Sequence, residues 1–348
     1  MMIRHPVFEL EPWALRETDL DLNVLAQTES VFALSNGHIG LRGNLDEGEP
    51  NGLPGTYLNS FYEVTPLPQA EGGYGYPEAG QTIVNVTNGK IIRLLVDDEP
   101  FDVRYGSLLS HERVLDLRDG VLRRSADWRS PAGARVQVQS TRLVSFVQRA
   151  VAAVCYEVTA PEAPLRVVVQ SELVANEPLP TRPGDPRSSQ TSETMLHSVL
   201  NRARDLGAIL VHSTRTSGLL VATAMEHVVE GPEDIDSTSE SVPDEARVMV
   251  ATNLAPGERL RIIKLLGYGW SGQRSQPAVA DQVRGAVLEA RQTGWDGLLD
   301  AQRSYLDDFW ERADVELHGD DELQSAVRAS MFHCLQAAAR AEMRGIAA

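Results

Sequence analysis

The residues best placed for chemistry lie close together near the amino terminus. The segment ESVFALSNGHIGLRGN, Glu29 to Asn44, sets Gly37, Gly40 and Gly43 at a spacing of three, with Asn36, His38 and Arg42 among them. Glycine at that density suits a tight turn, and this turn would offer amides, an imidazole and a guanidinium along one edge. Such an edge can hydrogen-bond sugar hydroxyls or a partner domain. It can equally be a hairpin whose Arg42 pairs with a local carboxylate, and spacing leaves both readings open. Tyr57, Phe61, Tyr62, Tyr74 and Tyr76 follow soon after. Their ring faces can stack on sugars or fill a core.

Other groupings carry less. Gly267-Tyr268-Gly269-Trp270-Ser271-Gly272 spells the dinucleotide-binding fingerprint, and Glu289 falls where a ribose-binding acid would stand. The strands before it are not interleaved with helices, and no parallel strand returns after it. It reads as a glycine-rich exit from a sheet into helices. His111-Glu112 and Asp307-Asp308 are candidate acid/base pairs, but on a strand edge and a helix surface they read as solvated charges. The eight histidines show no metal-ligand spacing, so no metal is expected. Neither a Gly-x-Ser-x-Gly elbow nor a phosphate-cradling loop occurs.

The elements that must position these residues change character near residue 272. Before it, short apolar or alternating runs recur at 90–96, 135–144, 151–158, 165–173, 208–212, 219–229, 247–252 and 259–266, many separated by turn signals such as Asn88-Gly89 and Asp119-Gly120. Val136 and Val138 alternate with Arg135, Gln137 and Gln139, the period of a strand with one wet face. Residues 151–156 are apolar on both faces and should sit deeper. The fold expected is mainly β with carboxy-terminal helices, its strands packed as a large antiparallel β-sandwich. Residues 176–206 read as a long loop with room for one helical turn, and the acidic stretch 230–246 as a solvated surface loop. Beyond 272 the spacing is helical: Val279 to Ala290, then Trp295 to Ala313, then Leu323 to Ala338 with Asp320 or Asp321 as N-cap.

Composition excludes several function classes. The 348 residues hold 32 Lys and Arg against 49 Asp and Glu, a formal charge of -17. Length alone suggests roughly two domains. Strongly acidic balance without a basic cluster argues against a nucleic-acid partner; the chain has two lysines, Lys90 and Lys264. The longest apolar run, residues 218–225, is far below the roughly 18 residues needed to cross a bilayer, so no membrane partner is expected. Cys155 and Cys334 stand in apolar surroundings and suit a reducing, cytoplasmic setting.

Four ordered blocks, ESVFALSNGHIGLRGNLDEG, GTYLNSFYE, LDLRDGVLRRSADWRSPAGARVQVQSTRLVS and GWDGLLDAQRSYLDDFWERADVELHGDDELQSAVRASMFHCLQAAA, resemble glycoside hydrolase family 65. That family holds the maltose, trehalose, kojibiose and nigerose phosphorylases. The resemblance implies an amino-terminal sandwich of the galactose-mutarotase-like supersandwich type over 1–270, a helical linker over 271–318, and over 319–348 the first helix of an (α/α)6 catalytic barrel. The family's catalytic acid and phosphate-binding residues are then expected downstream of Ala348, so no catalytic residue is carried over. Asn36, His38 and Arg42 remain as candidates for an active-site-rim or domain-interface loop. The activity implied is inverting phosphorolysis of an α-linked glucose disaccharide, with inorganic phosphate as co-substrate, no metal or organic cofactor, and a homodimer in the full-length protein. A family 65 hydrolase, and a non-catalytic carbohydrate-binding sandwich, are the alternatives. Ser35 stands where relatives usually show Gly, which requires a negative φ at that position.

Overall fold

The computed structural model describes residues 8–66, 75, 77–178 and 194–342. Tyr74, Tyr76 and the tail 343–348 lie outside the described residues. In chain order the strands begin β1 (Phe8–Glu11), β2 (Ala14–Glu17), β3 (Leu34–Ser35), β4 (Ile39–Leu41), β5 (Thr56–Leu58), β6 (Tyr62–Pro66), β7 (Ala79–Ile83), β8 (Ile92–Val96), β9 (Glu99–Pro100) and β10 (Ser107–Asp116). They continue as β11 (Val121–Arg129), β12 (Arg135–Val144), β13 (Val151–Thr159), β14 (Leu165–Val174) and β15 (Leu196–Arg204). The last are β16 (Gly207–Thr214), β17 (Leu220–Glu230), β18 (Asp236–Val242), β19 (Glu245–Leu254) and β20 (Arg259–Ser271). Three α-helices are α1 (Leu25–Val31), α2 (Gln276–Ala313) and α3 (Asp321–Ala338).

A ten-stranded sheet, ordered β1-β2-β10-β11-β12-β13-β20-β17-β16-β15, packs on a five-stranded sheet ordered β18-β19-β14-β8-β9. Every named pairing in both is antiparallel. This is the expected β-sandwich, and all eight runs read from the sequence are strands. β13 shows why it is layered. Ala152, Val154, Tyr156 and Val158 point into the core between the sheets, while Val151, Ala153 and Cys155 point to the opposite face, where α2 lies. A strand buried on both sides needs cover on both sides. The second cover is α2, which sets Val279, Val283, Val287, Ala290, Trp295 and Leu298 on the outer face of the sheet.

Gly267 and Gly269 do not turn the chain; they lie inside β20, beneath α2. A Cβ on Gly267 would stand 2.7 Å from Val287 Cγ2 and 2.9 Å from the Val283 carbonyl oxygen. The fingerprint spacing is thus a packing groove for a helix. Within α2, Gly294 breaks the helical path at φ 74° and ψ 166°, which divides it where the sequence divides two amphipathic stretches. Past the break, Leu306 and Trp310 join the sandwich core, and Trp310 Nε1 donates to the Leu117 carbonyl at 2.9 Å. Asp320 caps α3, accepting from Leu323 N at 2.9 Å.

Two loop readings change. The end of 176–206 is a strand, β15, pairing with β16 from Leu196↔Thr214 to Arg204↔Gly207. The acidic stretch contains β18, an edge strand on β19. Its side chains are nearly all polar because few of them meet a core, so alternation gave no signal.

Both lysines are interior. Lys264 in β20 donates through Nζ to the carbonyls of Ile91 at 3.0 Å and Glu172 at 2.8 Å, linking one sheet to the other. Lys90 Nζ donates to Gly55 O at 3.0 Å, Thr56 Oγ1 at 2.7 Å and Asn88 Oδ1 at 2.9 Å. Burial lowers each from 10.5 to about 7.

Two predictions follow from this packing. Gly267→Ala should cost about 1–3 kcal/mol by overpacking, whereas Gly285→Ala, on the open side of α2 with nothing within 4 Å, should gain about 1 kcal/mol. Urea midpoints test the order, and the reverse order would reject the helix-groove account. For the lysines, the unfolded chain stays protonated up to 10.5 while the folded chain releases protons near about 7. Their contribution to stability therefore rises with pH across that window. Subtracting the pH profile of a Lys90→Met/Lys264→Met variant from wild type should leave a positive slope; a flat difference would refute it.

Candidate functional site

The turn joining β3 to β4 carries Asn36, Gly37 and His38. Asn36 is 0% exposed, and its side chain is fully used. Oδ1 accepts from His38 N and Ile39 N, both at 2.9 Å, and Nδ2 donates to Ser145 O at 2.7 Å and Arg149 O at 3.1 Å. An Asn that closes its own turn through the next backbone amides is an Asx-type turn; here the same amide also ties the turn to the residues after β12. His38 is buried, and its carbonyl accepts from Asn59 N at 2.9 Å.

The outer side of this turn meets α3. Ser35 N donates to Gln336 Oε1 at 2.5 Å, and Ser35 Oγ to the Gln336 carbonyl at 2.9 Å. Arg340 N donates to Asn36 O at 2.6 Å. Gly37 has φ 82°, and a Cβ there would stand 2.9 Å from Ala337 O, so glycine is required for both conformation and clearance. Ser35 lies outside the positive-φ residues, which meets the condition for serine, and its hydroxyl gains a partner on α3.

Arg42 faces elsewhere. Nε donates to Glu29 Oε2 at 3.2 Å and Nη2 to the Ala26 carbonyl. Glu29 is fully buried and also accepts from Gly52 N at 2.8 Å and Leu53 N at 3.1 Å. Asn36 and His38 therefore share one turn, while Arg42 holds a separate local carboxylate.

Beneath the hairpin runs an ionic network that spacing did not reveal. Arg142 reaches Asp46 at 2.6 Å, Ser140 Oγ donates to Asp46 Oδ2 at 2.5 Å, and Arg124 Nη1 bridges both Glu47 oxygens at 2.8 and 2.9 Å. Burial acts to raise Asp46, but Arg142 and Arg124 outweigh it and hold the carboxyl below its ordinary range. Burial pushes Glu47 up, against the pull of Arg124 and with Asp46 adding to the push. Arg124 was readable in retrospect: it stands in phase with Leu122, Ala126 and Trp128, all core residues of β11. Glu47 also lines a cavity of about 200 Å³ with Arg93, Asp102 and Arg104. Each charge there is already paired, Arg93 with Glu172 and Arg104 with Asp102.

The other pairs divide. His111 is buried against Glu17 Oε2 at 3.4 Å, not solvated, while Glu112 on the opposite face of β10 pairs with Arg16. Asp307 is exposed and pairs with Arg303 at 3.0 Å. Phe61 is core, 6.0 Å from the Trp270 ring, and Tyr57 is 39% exposed. Among the described residues no three His, Cys, Asp or Glu gather as metal ligands, and no helix is long and apolar enough to cross a membrane. An apolar opening of about 540 Å³ lies between Phe309 and Ala313 of α2 and Leu323, Val327, Met331 and Leu335 of α3.

Comparison with known proteins places this geometry. Residues 15–309 match the family model "Glycosyl hydrolase family 65, N-terminal domain". An uncharacterized glycosyl hydrolase of Mycobacterium tuberculosis is 62% identical over 345 residues, covering 99% of this chain and 44% of that protein. The α,α-trehalose phosphorylase of Thermoanaerobacter brockii is 30% identical over 350 residues, 99% of this chain and 45% of that protein. A solved structure from the human microbiome, provisionally described as a kojibiose phosphorylase, superposes with a TM-score of 0.85 at 20% identity, over 97% of this chain and 43% of that one. The chain thus spans less than half the length of these relatives. A sandwich that matches the family model from β2 into the second half of α2 and shares its fold with a far longer protein has one consistent assignment: the chain belongs to glycosyl hydrolase family 65, as its amino-terminal domain.

Proposed function

We propose that the chain is the amino-terminal part of an inverting α-glucoside disaccharide phosphorylase that yields β-glucose 1-phosphate and glucose. In this reading 1–270 is the supporting sandwich, 271–318 the helical linker and 319–348 the start of an (α/α)6 barrel. The observation that carries it is the two-sided character of α3. One face is clamped to the β3–β4 turn by Ser35, Asn36 and Gln336; the other presents Leu323, Val327, Met331 and Leu335 around an open apolar groove. A helix fixed on one side and apolar on the other suits the first member of a helical layer. Asn36 and His38 act as positioning residues for that helix, and Arg42 as a local brace. Two cysteines unlinked to each other support a cytoplasmic, reducing setting, and the working protein pairs as a homodimer.

The chemistry would reside in the barrel. Phosphate attacks the anomeric carbon on the face opposite the leaving sugar, while a carboxylic acid protonates the glycosidic oxygen. An inverting hydrolase needs a second carboxylate to activate water; phosphate, already anionic, needs a cationic or hydroxyl-bearing cradle instead. The buried carboxylates of the sandwich serve its structure instead: Glu17, Glu29, Asp46, Glu47 and Glu172 pair with arginines, and Glu63 accepts from the backbone amides of Arg215, Thr216 and Ser217.

The 348-residue chain should release no glucose from trehalose, maltose, kojibiose or nigerose with phosphate present, and turnover by the chain alone would overturn the reading. The product of the full open reading frame should form β-glucose 1-phosphate in step with phosphate loss. Glucose release without phosphate would assign hydrolysis instead. In that full-length protein Asn36→Ala should lower stability by about 2–4 kcal/mol, leaving two carbonyls and two amides without their partner, with activity falling only as the folded fraction falls. Arg42→Ala should cost about 1–3 kcal/mol and leave kcat/KM for disaccharide unchanged. A large loss of kcat in well-folded Arg42→Ala would instead place this residue at the active-site rim.

A further inference from the structure

The helix α2 does not cover the whole outer face of the ten-stranded sheet. Beside it, over β15, β16 and β17, a groove of about 380 Å³ remains, lined by Ile209, Ala224 and Val287 together with Arg202, Arg204 and Arg284. The Arg202 side chain has no ion pair or hydrogen bond among the described residues. Arg204 pairs with the adjacent Asp205, both almost fully exposed, and Arg284 with Asp281 at 3.2 Å. Glu226 also lines the groove and pairs with Arg291, so the cations left for a partner are Arg202, which is unpaired, and Arg204, whose exposed pair with Asp205 is worth little.

The complement lies on the same edge of the molecule, one layer down. β15 ends the ten-stranded sheet and β18 ends the five-stranded sheet, and the two edges touch, with Ser241 Oγ 3.3 Å from Asn201 Oδ1. Asn176 binds both Leu196 and Asp244, so the two edges run in opposite directions. Arg202 and Arg204 therefore stand level with the Asp236 half of β18. Glu233, Asp234 and Asp236 are exposed and form no ion pair among the described residues. Val199 and Val242 are 47% and 55% exposed on this same edge.

We infer that this edge is the surface on which a second copy of the chain docks. A two-fold axis parallel to the strands exchanges the upper and lower layers and preserves height along the strand. It sets the arginine groove of one copy opposite the acidic β18 segment of the other, twice over, with Val199 and Val242 near the axis. An isologous contact requires that each patch meet its complement by the same operation, and the stacking of a basic groove above an acidic edge satisfies that. The occupant is a second copy because the acidic counterpart is present in this chain at the matching height. The two bare edge strands also gain cover. This deepens the homodimer of the proposed function and rests on it only for the identity of the occupant.

The test uses the 348-residue chain in sedimentation equilibrium at micromolar concentration. Wild type should dimerise, and added salt should weaken the dimer. Arg202→Glu/Arg204→Glu and, separately, Asp234→Arg/Asp236→Arg should each raise the dimer dissociation constant by at least ~10-fold. These residues are exposed, so circular dichroism and melting should be unchanged. Combining the four substitutions restores opposite charge across the axis and should restore dimerisation. A dimer untouched by the swaps, but broken by Leu323→Asp/Val327→Asp, would overturn the surface while keeping the pairing, and would move it to α3. A wild-type monomer would overturn both, without bearing on the phosphorolysis reading.

Discussion

The structure depends on the central strands β13 and β20 being apolar on both faces. A strand of that kind cannot face water, so one layer must lie on each side of it. Below, the five-stranded sheet buries Val154, Tyr156, Ile262 and Leu266; above, α2 buries Val151, Ala153, Ile263 and Leu265. The helix can approach closely only where β20 lacks side chains, at Gly267 and Gly269. Once α2 is seated there, its course is set. Gly294 redirects it, its far end enters the sandwich core through Leu306 and Trp310, and the chain is delivered to the start of α3, whose carboxy-terminal end then reaches the β3–β4 turn.

That order explains what the sequence disclosed. Strands with a contrast between faces were legible, as in β12, where Val136 and Val138 alternate with Arg135 and Gln137. So were the three helical stretches and the N-cap Asp320. The long acidic run was not, because β18 is an edge strand of mainly polar side chains, and its strand character comes from backbone pairing with β19. β15 failed similarly: its Arg202 and Arg204 face outward, and a bulge between Ser198 and Leu200 breaks the alternation. The family resemblance, carried by four blocks, agreed with the fold, but no block falls between 176 and 250, where both of these strands lie.

The candidate site was legible in part. Glycine, asparagine and histidine at 36–38 did mark a constrained turn, but composition could not say what the constraint served. Its meaning appears only when Gln336 and Arg340, some 300 residues later in the chain, arrive at the same place. The buried Asp46–Arg142 and Glu47–Arg124 pairs were hidden for a different reason. Charged residues default to the surface, and only the phase of a strand can move one inward. Such pairs cost desolvation that their attraction merely offsets, so they are better understood as fixing how the hairpin sits on the sheet than as a source of stability.

The same internal use of cations shapes the outside. Among the described residues Arg113, Arg124, Arg142 and Arg328, with Lys90 and Lys264, are buried, which takes six cationic side chains from the surface of a chain that already has an excess of acids. Seven carboxylates, Glu17, Glu29, Asp46, Glu47, Glu63, Asp127 and Glu172, lie inside as well, so the interior is close to balanced and the acidic excess is expressed at the surface. A surface of one sign repels its own copies. Association of two such chains would be favoured where exposed positive charge is free to meet an acidic segment. Arg202, which is unpaired, and Arg204, held only by an exposed pair with Asp205, stand on an uncovered sheet edge beside the chain's own acidic strand, and the polarity of β18 that hid it from the sequence reading is what would make it complementary.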